Sequence, residues 1–229
     1  MCGRFTLRAP ANRVVDQFRL DTISELRPRY NIAPTQPVPI VRPIGDRPSR
    51  QLTFARWGLI PSWAKEAAIG NRMINARGET VADKPSFRAA FKRRRCLVVA
   101  DGYYEWQRLH GKKQPFYIRL EEDLPLAFAG LWESWQGPRD APLDEPLETC
   151  TIITTDANEF TSPIHDRMPV ILRPDDYDIW LDLELQQPEP LLALLQPYAD
   201  DGLVADRVST YVNSPRHDDA ECIVAQEET

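Results

Sequence analysis

The chain has 229 residues, 42% hydrophobic and 27% charged, which is the make-up of an ordinary globular protein with room for one good core. No stretch approaches the roughly 20 consecutive apolar residues of a membrane span, and the N-terminus lacks the charged-then-apolar pattern of a signal peptide. The expectation is a cytoplasmic protein with no membrane partner. A net charge of −6 conceals an asymmetry: residues 1–120 hold 23 Lys/Arg against 9 Asp/Glu, whereas residues 121–229 hold 5 against 25. Either the first half builds a polyanion-binding surface, or the two halves neutralise one another across the fold.

In chain order, "ANRVVDQF" sets Val14, Val15 and Phe18 at helical spacing. The proline-studded "RPRYNIAPTQPVPIV" is extended, "IGDRPS" turns the chain, and "QLTFARWGLIP" reads as a strand entering a Trp-Gly turn. Residues 62–85 are mostly loop with one helical turn near the start. Ser86 is placed to cap a helix over "FRAAFKRRR", whose last turn carries Lys92, Arg93, Arg94 and Arg95. Those cations either complement the negative helix end or contact phosphate.

Strands follow over "CLVVADGYYEWQRL", "QPFYIRL", "PLAFAGLWESW" and "ETCTIITTDAN", the first two joined by a hairpin turn at "HGKKQ". Short helices are expected over "DDYDIWL" and "PEPLLALLQ", then strands over "DRVSTYVNSP" and "AECIVA". Regular β-α alternation is absent, and no repeat or Gly/Ser linker divides the chain. The expected fold is α+β: a single domain over 1–229, with curved, mainly antiparallel sheets forming a barrel-like core and short peripheral helices.

Cys96, Cys150 and Cys222 sit in apolar, strand-like runs and read as buried, inert thiols. The four cysteines form no CxxC pair and there are only three histidines, so no metal site is expected. Cys2 stands apart, directly behind Met1 in "MCGRFTL". Either it is incidental, or removal of Met1 turns it into a reagent: a 1,2-aminothiol. Its amine forms Schiff bases with aldehydes, and its thiol closes a five-membered thiazolidine. An α-amine of pKa about 7.7–8.0 is substantially nucleophilic near neutral pH. A thiol near 8.5 is partly ionised, the more so beside a cation such as Arg4.

Three further stretches carry candidate groups. In "MINARGET", alternation puts Asn75 and Arg77 on one face of an extended segment, either as surface polar groups or as contacts to a sugar and a phosphate. In "ADGYYEW", Tyr103 and Glu105 share one face and Tyr104 and Trp106 the other. Glu105 is either an exposed strand residue or a buried acid with a raised pKa, able to move protons near neutrality. In "SPIHDRMP", His165 is a proton shuttle or a structural histidine, while His110 and His217 look like solvated loop residues.

The ordered set "MCGRFTL", "RYNIAPTQ", "WGLIPSW", "INARGET", "KPSFRAAFKRRRCLVVADGYYEW", "KQPFYI", "FAGLWE", "TIITTDAN" and "IHDRMPVIL" resembles the SOS response-associated peptidase-like family along most of the chain. The resemblance implies a curved β-rich fold with a basic channel for single-stranded DNA. It implies an enzyme that crosslinks itself to abasic sites, a monomer needing neither cofactor nor metal, associated with the nucleoid when DNA is damaged. By motif, it makes Cys2 the crosslinking residue with Asn75, Glu105 and His165 around it. Arg4, Arg77 and Arg167 fall at positions expected along the DNA backbone, and Trp63 in a loop near the bases. Some relatives carry two consecutive tryptophans there, whereas here Ala64 follows Trp63. Trp63 is thus a stacking platform or a core residue.

Two other readings compete. In an autoprocessing cysteine peptidase, the Cys2 thiol attacks an acyl group. In a non-enzymatic single-strand binding module, Cys2 is dispensable.

Overall fold

The computed structural model describes residues 2–21, 23, 26–45, 47–109, 111–199 and 202–226. The chain starts with β1 (Arg4–Leu7) and α1 (Ala11–Phe18), the helix bounds the apolar spacing predicts. Val14 and Phe18 form its buried face, and Arg19 stops it in the left-handed region at φ 52°. The proline-rich stretch divides into β2 (Arg29–Ile32) and β3 (Pro37–Ile44), and β4 (Arg47–Trp57) returns antiparallel to β3. Residues 62–85 contain two 3₁₀ turns and the short β5 (Asn75–Arg77).

Next come α2 (Arg88–Arg93), β6 (Arg95–Ala100), β7 (Gly102–Leu109), β8 (Lys112–Leu120), β9 (Leu126–Trp135) and β10 (Leu147–Asp156). The chain ends through β11 (Arg167–Pro169), β12 (Ile171–Leu172), α3 (Tyr177–Leu181), α4 (Pro188–Ala193) and β13 (Leu203–Arg207).

Strands β10, β4, β3, β6 and β9 close on themselves, because β10 pairs with both β4 and β9. This ring is the expected barrel-like core. It is mainly antiparallel, with parallel pairings of β10 to β4 and to β5. The second sheet, ordered β13-β8-β7-β1-β2, is antiparallel throughout. Phe5 and Tyr103 of that sheet meet the ring: Phe5 lies edge-on to Trp57 and Phe128 at 5.2 and 6.0 Å, and Tyr103 edge-on to Phe128 at 6.0 Å.

"CLVVADGYYEWQRL" is two strands, because the chain leaves the ring at Asp101 and enters the second sheet. The buried Asp101 carboxylate accepts hydrogen bonds from the Thr6 hydroxyl and from the Arg8 and Ala9 amides. It thereby fixes the far end of β1. A side chain at Gly102 would collide with the Tyr117 ring, so this crossing requires glycine.

Two local expectations change, and the basic cluster takes in part the helix-end role. Ser86 caps nothing: the amides of Phe87 and Arg88 are already satisfied by the Lys84 carbonyl. "STYVN" and "AECI" are 3₁₀ turns rather than strands, because the Ser209 and Asp219 side chains accept from the Tyr211 and Glu221 amides and wind the backbone. The basic cluster is partly internal. Arg95 is 0% exposed and donates to the carbonyls of Phe91, Lys92, Trp180, Asp182 and Leu185, gathering the ends of α2 and α3. Arg94 pairs with Glu133 at 2.7 Å. The "HGKKQ" turn includes His110, which lies outside the described residues.

Candidate active site

β1 is clamped between β2 and β7, and this brings the residue two before it into the interior. Cys2 is 0% exposed, as buried as Cys96 and Cys150, and packs in the main core rather than at a loose end. Burial, reinforced by the charge of Glu105, pushes its thiol well above the usual thiol range. The expectation of a partly ionised thiol beside Arg4 is therefore corrected. Arg4 turns away, donating to Asn31 Oδ1 at 2.7 Å and to the Val212 and Asn213 carbonyls at 2.9 and 3.2 Å. Its partners are neutral, so it ties β1 to β2 and to the C-terminal segment while keeping its charge.

Asn75 reaches Cys2 because β5 lies parallel against β10, register Ile152 to Asn75. The approach is fixed by the Trp57 indole donating to the Ile74 carbonyl at 2.8 Å and by the Leu59 amide donating to Met73 at 3.1 Å. Just upstream, the backbones of Gly58 and Gly70 touch so closely that a Cβ on either would lie 2.6 Å from the other's carbonyl oxygen. Asn75 Nδ2 donates to the Cys2 carbonyl at 2.8 Å, and its Oδ1 is buried with no hydrogen-bond partner among the described residues.

Glu105 leaves β7 on the face of Tyr103 and is 3% exposed. Burial raises its pKa to about 7, the value required of an acid that both gives and takes protons at neutrality. His165 Nε2 lies 3.9 Å from Glu105 Oε2, while Nδ1 accepts from the Arg167 amide at 3.0 Å. Nδ1 also lies 2.8 Å from Asp166 Oδ1, so either ring nitrogen can carry the proton of the neutral imidazole. Burial lowers the His165 pKa, which favours this neutral form.

The histidine loop is held by groups that motif reading passed over. Asn158 Oδ1 accepts from the Thr161 amide at 2.9 Å and from its hydroxyl at 2.6 Å, and the Thr161 carbonyl accepts from the His165 amide at 3.1 Å. Gln107, two residues beyond Glu105, donates to the Pro163 carbonyl at 2.9 Å and ties β7 to the same loop. An Asn three residues before a Thr, closing a turn ahead of a lone histidine, was the available signal.

Four of the named residues thus converge: Cys2, Asn75, Glu105 and His165. The others surround or stand apart from them. Arg77 is exposed at the end of β5. The Arg167 side chain is only 12% exposed and is clamped by both oxygens of Glu79 and by Asp156 at 2.7 Å. Trp63 is 59% exposed, which removes the core reading, and lines an open cleft with Lys65, Ile69 and Arg72. Its loop is anchored by the Trp135 indole donating to the Ala64 carbonyl at 2.9 Å. No cluster of metal-ligating side chains and no helix long and apolar enough to cross a membrane occurs among the described residues.

A family model described as SOS response associated peptidase (SRAP) matches residues 1–215. The chain is 46% identical over 230 residues to the abasic site processing protein YoaM of Bacillus subtilis, covering 99% of each. It is 37% identical over 227 residues to the abasic site processing protein HMCES of Gallus gallus, covering 86% of this chain and 66% of that one. A solved structure of a protein from Bacteroides thetaiotaomicron matches with a TM-score of 0.85 at 28% identity, covering 99% of this chain and all of that one.

Proposed function

Since the chain belongs to the SOS response associated peptidase (SRAP) family, we propose that it processes abasic sites in single-stranded DNA by crosslinking itself to them through Cys2. The observation that carries this reading is the convergence of Asn75, Glu105 and His165 on the one residue that becomes a 1,2-aminothiol when Met1 is removed.

An abasic deoxyribose exchanges between a closed hemiacetal and an open C1′ aldehyde. The neutral His165 polarises O4′ through Nε2–H as the ring opens, and the proton of the C1′ hydroxyl reaches O4′ by way of the Glu105 carboxyl. Asn75 orients the Cys2 main chain, and its unfilled Oδ1 accepts a hydrogen bond from the new amine. The amine adds to C1′, Glu105 protonates the departing hydroxyl, and water leaves an iminium. The thiol then adds to C1′, the C=N electron pair returns to nitrogen, and the thiol proton passes to Glu105. One water is lost overall. The closed ring keeps the sugar from the β-elimination that an open Schiff base promotes.

Arg77, exposed at the end of β5, supplies a phosphate contact, and Trp63 a surface on which a base stacks. Arg4 adds an unneutralised charge, whereas Arg167 reaches a phosphate only in exchange with Glu79 or Asp156.

Incubation of Met1-processed protein with an abasic single-stranded oligonucleotide tests the proposal. It predicts a denaturation-resistant adduct with the mass of both components less one water, and none with intact DNA. Processed protein that binds both DNAs alike and yields no adduct contradicts it.

A further inference from the structure

Four tyrosines lie wholly inside the protein: Tyr103, Tyr104, Tyr117 and Tyr177. Three have hydroxyl partners. Tyr104 donates to the Tyr30 carbonyl at 2.6 Å, Tyr117 meets the Thr6 hydroxyl at 3.0 Å, and Tyr177 accepts from Gln17 at 3.2 Å. The Tyr103 hydroxyl has none among the described residues. A buried hydroxyl without a partner is destabilising, and phenylalanine would fill the same space without that cost. Such an exception points to a partner that arrives with the reaction.

The position of the ring says which partner. Tyr103 shares its face of β7 with Glu105, and directly across on β1 lies Phe5, three residues after Cys2. Phe128 fixes the ring edge-on at 6.0 Å. Beyond burial, the groups that further disfavour ionisation of the hydroxyl are the Cys2 thiol and the Glu105 carboxyl. Among the described residues, the buried thiol in turn has one hydrogen bond, a weak one of 3.9 Å to the Arg4 carbonyl, and none donates to its sulfur.

We propose that the Tyr103 hydroxyl donates a hydrogen bond to Cys2 Sγ as the thiol proton leaves for Glu105 and negative charge builds on the sulfur that then closes the thiazolidine. The inference rests on the crosslinking reading and assigns a donor to its second half. The S–C1′ bond forms, the C=N electron pair returns to nitrogen, the thiol proton goes to Glu105, and Tyr103 keeps its own proton. Imine formation, which involves the amine and not the sulfur, does not use this hydrogen bond.

Tyr103→Phe separates the two halves. Borohydride traps the imine, and the adduct that survives denaturation without reductant reports the closed ring. Expected are an imine rate within about twofold of wild type, closure slowed by about tenfold or more, and a melting temperature equal to or above that of wild type. Closure at the wild-type rate overturns the inference. A parallel fall in both steps overturns it too, because that marks a packing role. If wild type forms no adduct, the crosslinking reading falls and takes this inference with it. A wild-type adduct with unimpaired Tyr103→Phe closure removes this inference alone.

Discussion

The side-chain amide of Asn75 donates a 2.8 Å hydrogen bond to the main-chain carbonyl of Cys2, across 73 residues of sequence. Cys2 is therefore held through its backbone, which leaves its amine and thiol available for the proposed reaction. Asn75→Ala removes the donor, and a small misplacement of reacting atoms costs up to about a hundredfold in rate. The expected result is a crosslinking rate lower by about ten- to a hundredfold, with stability changed by only about 1 kcal/mol, since one hydrogen bond contributes no more. Single-turnover adduct formation and thermal melting measure the two.

Glu105 gives a pH signature in stability as well as in activity. Its pKa is raised from an ordinary 4.5 to about 7 by burial, so between those values the folded state holds a proton that the unfolded state has released. Stability contributed by this group is present below pH 4.5 and is lost as pH rises to about 7. The loss amounts to about 3 kcal/mol. Glu105→Gln should thus melt above wild type at pH 8 and match it near pH 4, while its adduct yield collapses at every pH. Melting curves across this range check the sign: a variant less stable than wild type at pH 8 contradicts the assignment.

The site was more legible than the long-range packing that builds it. Alternation along "ADGYYEW" put Tyr103 and Glu105 on one face, and the order of "MCGR", "INAR" and "IHDR" named the converging residues. Single letters did not reveal that Cys2 is buried, because its burial depends on β1 being clamped between β2 and β7 and on Asp101 locking its far end. The Asp101 crossing was hidden for a related reason. One apolar run served two sheets, and only the collision awaiting a Cβ at Gly102 marks the boundary. The C-terminal turns were missed because Ser209 and Asp219 override the strand preference of the residues they cap. The clamp on Arg167, a residue expected along the DNA backbone, was hidden because its carboxylate partners, Glu79 and Asp156, lie 88 and 11 residues away.

That clamp separates two arginines in their response to salt. Arg77→Ala should weaken binding of abasic single strands and make the dependence of log K on log salt shallower by about 0.7, the share of one phosphate. Arg167→Ala should in addition lower the melting temperature, because Glu79 and Asp156 lose their shared counter-charge. Trp63→Ala should cost about 1–3 kcal/mol of binding with little change in the salt slope. Fluorescence titrations at several ionic strengths distinguish the three.

Arg95 is a structural cation, and its substitution should be felt far from the site. Arg95→Leu leaves the carbonyls of Phe91, Lys92, Trp180, Asp182 and Leu185 without their donor. A loss of about 3 kcal/mol or more is expected, with wild-type crosslinking in the fraction that remains folded. Denaturant titration together with adduct yield per folded molecule checks this.

The most direct test of the account is the site of attachment, read by tandem mass spectrometry of the digested adduct. The account predicts deoxyribose on an N-terminal peptide that begins at Cys2 and lacks Met1, stable without reductant. Sugar on an internal lysine, or on a peptide that still begins with Met1, would contradict it.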